Sequence, residues 1–64
     1  MLDNHIYNLM LQLTEENKGL WRIKNNYVSD AGDCADCKMF WDKMEEDKED
    51  HILKLMELIK RHVS

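Results

Sequence analysis

The sequence predicts an all-α protein, an antiparallel two-helix hairpin that dimerises into a four-helix bundle. Three observations predict it. The chain has 64 residues with no proline and two glycines, a composition that favours long helices over a turn-rich β fold. Its apolar residues recur at spacings that alternate between four and three. One strong punctuation mark, Ser29-Asp30-Ala31-Gly32-Asp33, falls almost at the midpoint.

The first helix is expected over about residues 3–30. Leu2, Ile6, Leu9, Leu13, Glu16, Leu20, Ile23 and Tyr27 form its seam, and Met10, Trp21 and Val28 widen the stripe. A 3.5-residue repeat of this kind keeps one stripe turned toward a neighbouring helix. Gly19 lies inside the pattern at a cost of about 1 kcal/mol relative to alanine. A kink near Thr14 to Gly19, dividing the first helix into two shorter ones, is the structural alternative.

The turn is expected at residues 31–33. Glycine takes up positive φ without a Cβ clash, so Gly32 suits the C-cap of the first helix and Asp33 the N-cap of the second. The second helix then runs over about residues 34–62. It gathers Cys37, Phe40, Trp41, Met44, His51, Leu55, Leu58, Ile59 and His62 on a broad face. Asp36 in its first turn and Lys60, Arg61 and His62 in its last suit the helix dipole. Residues 42–50 hold six acids and two lysines, the pattern of a solvated face. So short a connection makes the two helices antiparallel neighbours and one domain, residues 1–64.

Two such helices cannot bury stripes this wide against each other. Leu9, Met10, Trp21, Trp41, Ile52, Met56, Ile59 and Val63 would stay partly exposed on a single hairpin. Small scaffolds commonly complete a core by oligomerising, so a homodimer is the expected state, with a protein partner as the other possibility. The net charge of −4 speaks against nucleic acid as that partner. The longest wholly apolar runs, Leu9 to Leu11 and Met39 to Trp41, are three residues each, so no membrane span and no signal peptide is expected and a cytoplasmic location follows.

Two places could carry chemistry. The first is Cys34-Ala35-Asp36-Cys37 in the first turn of the second helix, where the positive helix end favours thiolates. Three readings stay open: two small residues packed near Trp41, a dithiol that cycles with its disulfide, and a metal site. One CxxC supplies two ligands and zinc wants four, so the metal reading requires two hairpin tips to meet. The second is the polar interruption of the seam. An antiparallel register places Glu16 level with residue 49, flanked by Asp47 and His51. Carboxylates and histidines from facing helices build metal sites in four-helix bundles, here for a divalent iron or zinc completed by the symmetry mate. A hydrogen-bonded polar layer with Lys48 as counter-charge, fixing register, is the alternative. His5 and His62 are expected together at the open end of the hairpin. Catalytic triads and phosphate-binding glycine loops have no counterpart here, and a non-enzymatic role in dimerisation or partner binding is the leading expectation.

The stretch Phe40-Trp41-Asp42-Lys43-Met44-Glu45-Glu46-Asp47-Lys48-Glu49-Asp50-His51-Ile52, followed by Leu55, Leu58 and Ile59, resembles the metal-bearing second helix of rubrerythrin-type ferritin-like half-bundles. Glu16-Asn17-Lys18-Gly19-Leu20-Trp21 and Tyr27 loosely resemble the first helix of that unit. The resemblance covers about two thirds of the chain and implies a half-bundle scaffold with a carboxylate-bridged metal. His51 carries over as a ligand-type residue. Lys48 stands where the family's Glu-x-x-His motif has glutamate, and Lys18 falls at the first-helix ligand position with Glu16 beside it. The implied form is a half-bundle that keeps the scaffold and little of the metal chemistry.

Overall fold

The computed structural model describes residues 3–63. They form an all-α hairpin, 47 × 17 × 13 Å in extent. The first arm comprises α1 (Asn4–Arg22), a π-helical segment (Ile23–Tyr27) and a short α2 (Val28–Asp30). The second arm is one continuous helix, α3 (Ala35–Val63). Among the described residues no helix is long and apolar enough to cross a membrane.

Asp3 starts α1 by accepting the Ile6 amide at 3.0 Å on Oδ1, which satisfies one of the amides a helix start leaves open. The helix then runs through Thr14 and Gly19 without interruption, so the alternative of a break there does not occur. The irregularity lies one turn later. In the π segment the Ile23 carbonyl accepts the amide of Val28, five residues on. Beside this wide turn the Asn25 side-chain amide donates to the Trp21 carbonyl at 2.8 Å. The segment keeps Ile23, 1% exposed, on the seam and places the Tyr27 ring 4.8 Å from that of Trp41.

The turn follows the sequence at Gly32, whose φ is +60°, and departs from it at Asp33. The Gly32 amide bonds to the Ser29 carbonyl at 3.2 Å and the Cys34 amide to the Ala31 carbonyl at 3.1 Å. This extra bond holds Asp33 within the turn, so the residue before α3 is Cys34. Its Sγ accepts the Cys37 amide at 3.3 Å, the bond that an aspartate cap would have made.

The described seam residues of the first arm behave as the repeat requires. Ile6, Glu16 and Ile23 are buried and Leu9, Leu13, Leu20 and Val28 are half-buried, while Tyr27 is exposed; Leu2 lies outside the described residues. The face of α3 is narrower than expected. Trp41, Met44, Ile52, Leu55, Leu58 and Ile59 are half-buried, whereas Cys37, Phe40, His51 and His62 are exposed. One facing helix covers a stripe only, because a cylinder touches its neighbour along a line. At the open end the rings of His5 and His62 meet edge to face, 4.9 Å apart.

Candidate functional site

Midway along the hairpin, the arms are joined through a single carboxylate. Glu16 is buried, with its side chain 11% exposed, and three groups converge on it. Lys48 Nζ donates to Oε2 at 2.9 Å. On Oε1, Gln12 Nε2 donates from one turn back along α1 at 3.3 Å, and His51 Nδ1 stands at 3.2 Å. The Lys48 ammonium holds the Glu16 carboxyl below the usual glutamate range, with the amide of Gln12 and the imidazole of His51 acting in the same sense against its burial. Among the described residues no buried side-chain oxygen or nitrogen lacks a partner.

Lys48 reaches Glu16 by crossing α1 over Gly19. A Cβ on Gly19 would lie 3.0 Å from Cε and 3.1 Å from Nζ of Lys48. The glycine that the sequence marks as a weak point of the helix is therefore the slot through which the lysine passes. Beside it a cleft of ≈ 340 Å³ opens between the arms, lined among others by Gln12, Gly19, Ile23, Trp41 and Lys48.

Of the three seam residues proposed from sequence as metal ligands, the hairpin brings Glu16 and His51 together. Asp47 is placed elsewhere: its Oδ1 pairs with Lys43 Nζ at 3.0 Å along α3, with the side chain 47% exposed. Among the described residues no group of three or more His, Cys, Asp or Glu side chains is placed to hold a metal ion. Within one chain Lys48 occupies the oxygen that a cation would need, so this donor set does not fit the carboxylate-bridged metal that the sequence resemblance implies. The alternative form, a polar layer with Lys48 as counter-charge, is the arrangement present. Gln12 and Gly19 complete it; the sequence marks Gly19 only as a weak point of the helix and does not single out Gln12. The usable signals are the four-residue spacing of Gln12 and Glu16 and the opposition of a glycine to a long cationic side chain.

The second site is the tip. Cys34 and Cys37 are both free thiols and both exposed, so they are not packed beneath Trp41. Hydrogen bonds to Cys34 from the Cys37 side chain, and then from the amides of Cys37 and Asp36, lower its thiol below the ordinary cysteine range. The same contact raises Cys37. Of the pair, Cys34 is thus the thiol that gives up its proton more readily.

Between these sites, Lys24 in the π segment reaches Glu49 at 3.3 Å and Glu45 at 3.6 Å. Glu49 and then Glu45 raise the Lys24 ammonium above its ordinary range. Exposed pairs of this kind contribute little to stability, because water and salt screen them. No family model, no curated protein and no solved structure matches the chain.

Proposed function

We propose that the protein is a non-enzymatic helical hairpin that works as a homodimer, two copies completing a four-helix bundle. The observation that carries this reading is the shortage of core. Among the described residues the buried large apolar side chains are Ile6 and Ile23, while Trp21, Leu53, Met56 and Val63 are each more than half exposed. The chain exposes 4952 Å². A compact monomer of 7.7 kDa exposes about 4,300 Å². The difference, about 600 Å², approaches the roughly 800 Å² that each partner buries in a stable interface.

The apolar surplus lies mainly on one side of the hairpin. At 100° per residue, Met10 and Trp21 fall to the side of α1 that, in an antiparallel pair, is flush with Ile52, Met56 and Val63 of α3. The polar layer of Gln12, Glu16 and His51 falls to the other side. A second copy seated on the apolar side would bury like against like, as a two-fold interface requires. The Glu16 layer then serves each hairpin by fixing how its own arms pair.

Sedimentation equilibrium tests the reading. A mass of twice 7.7 kDa at micromolar concentration is expected. Met56→Glu should shift the chain toward monomer, and Lys54→Ala, on the other side, should leave the mass unchanged. A well-folded wild-type monomer at these concentrations overturns the proposal.

A further inference from the structure

We propose that Cys34 and Cys37 form a thiol–disulfide exchange site at the hairpin tip, with Cys34 as the attacking sulfur, Cys37 as the resolving sulfur and an accessible disulfide as substrate. The inference stands apart from the dimer, because the site is complete within one chain.

The geometry supplies the two requirements of exchange, a differentiated pair and access. Cys34 immediately precedes α3, and its Sγ accepts the Cys37 amide at 3.3 Å, one of the amides that a helix start leaves without a backbone partner. A sulfur in that position is better stabilised as an anion than as a neutral thiol, since an amide and the positive helix end both point at it. Cys37 lies inside the helix, one turn on, and no amide is shown donating to its sulfur. The acidic neighbours Asp33 and Asp36 carry the wrong charge to activate a thiol. Activation comes from N–H donors, and the lowered Cys34 and raised Cys37 accord with that.

Both cysteines are exposed, and the turn before them is open. Apart from Gly32 itself and its chain neighbours Ala31 and Asp33, no described atom lies within 4 Å of the point where a Cβ on Gly32 would be. A disulfide can therefore approach from outside the hairpin. The spacing also permits closure, because side chains three residues apart at a helix start are neighbours, within reach of an S–S bond.

The reaction runs in two displacements. The Cys34 thiolate attacks one sulfur of the substrate disulfide, forming a mixed disulfide and expelling the other sulfur as a thiolate, which takes up a proton from solvent. Cys37 then loses its proton and attacks Cys34 Sγ, expelling the second substrate thiolate and closing the Cys34–Cys37 disulfide. Two electrons pass from the dithiol to the substrate, which leaves as two thiols. A thiol reductant reverses the sequence. Closure also converts the Cys34 sulfur from a thiolate acceptor to a weak one, so oxidation removes the cap of α3.

The test uses the reduced full-length chain with oxidised glutathione as the probe, read by intact mass and peptide mapping. The expected result is loss of two hydrogens, an internal Cys34–Cys37 link and two reduced glutathiones released per chain. Cys37→Ser should stop at a glutathione adduct on Cys34, while Cys34→Ser should react about tenfold more slowly at Cys37. Circular dichroism of both variants checks that they remain helical. Equal rates in the two single-cysteine variants overturn the proposal, as does oxidation that yields only links between chains.

Discussion

Lys48 crosses the first arm directly over Gly19, with its Cε 3.0 Å from where a Cβ would stand. A glycine in a helix interior costs about 1 kcal/mol relative to alanine, and here that cost is offset by the ion pair it admits. Gly19→Ala should therefore recover less than its full propensity gain in the wild type, because the methyl displaces the Lys48 stem from Glu16. In a Lys48→Ala background the same substitution should be stabilising by the full ~1 kcal/mol. A double-mutant cycle in urea denaturation measures the difference, and additive effects would refute the contact.

Removing the two partners of this ion pair should not be equivalent. Lys48→Met leaves the Glu16 carboxylate with Gln12 and His51 alone in a mostly buried position, and should cost about 1–3 kcal/mol. Glu16→Gln leaves an ammonium on a long stem that can swing to water, and should cost less. Thermal denaturation of the two variants at neutral pH gives the order.

The pH dependence follows from the direction of the Glu16 shift. Lys48 lowers the folded-state pKa below its unfolded value, so the folded protein binds the proton less readily. The stabilisation is present in full above the unfolded glutamate range, ~4.3, and is lost as pH falls through the lower folded value. Wild type should lose stability on acidification through this window, and the loss should be smaller in Lys48→Met. Chemical denaturation midpoints across the acid range decide it; parallel curves for the two proteins would exclude Glu16 as the source.

Trp21 is 60% exposed on the hairpin and lies on the side assigned to the second copy. With Trp41→Phe removing the other indole, the remaining emission should shift to the blue as concentration rises through the dimer range, since burial removes water from the ring. Emission that is constant across dilution, in a chain whose mass changes, would place the interface elsewhere.

The helices were legible because their cause is periodic. The alternation of four and three from Ile6 to Ile23 dictates a helix with one inward stripe, and Gly32 punctuates it through a conformation that other residues avoid. Glu16, a carboxylate in that stripe, drew attention to the polar layer for the same reason. Its membership was harder to read. Asp47 and Lys48 are adjacent, and 100° of rotation decides which of them faces Glu16; the register alone does not resolve a step that small. The π segment left no trace in the pattern, since Ile23 and Tyr27 keep a helical spacing while the backbone between them widens. The cap of the second helix lies at Cys34 and not Asp33 because the turn uses one more residue than a minimal glycine cap.

The widened turn at Ile23–Tyr27 lets the first arm carry one residue more than a regular helix would. A π segment amounts to one residue inserted into an otherwise regular helix, and its wide turn takes up the 100° of rotation that the extra residue would impose on everything after it. The Glu16 clasp on one side of this insertion and the Gly32 turn on the other therefore keep the mutual orientation of an uninterrupted helix. A single deletion at Asn25 or Asn26 would restore a regular helix and leave both the clasp and the direction of the tip in place. A deletion in α1, where no wide turn takes up the rotation, would instead swing the tip about a quarter of the way around the first arm.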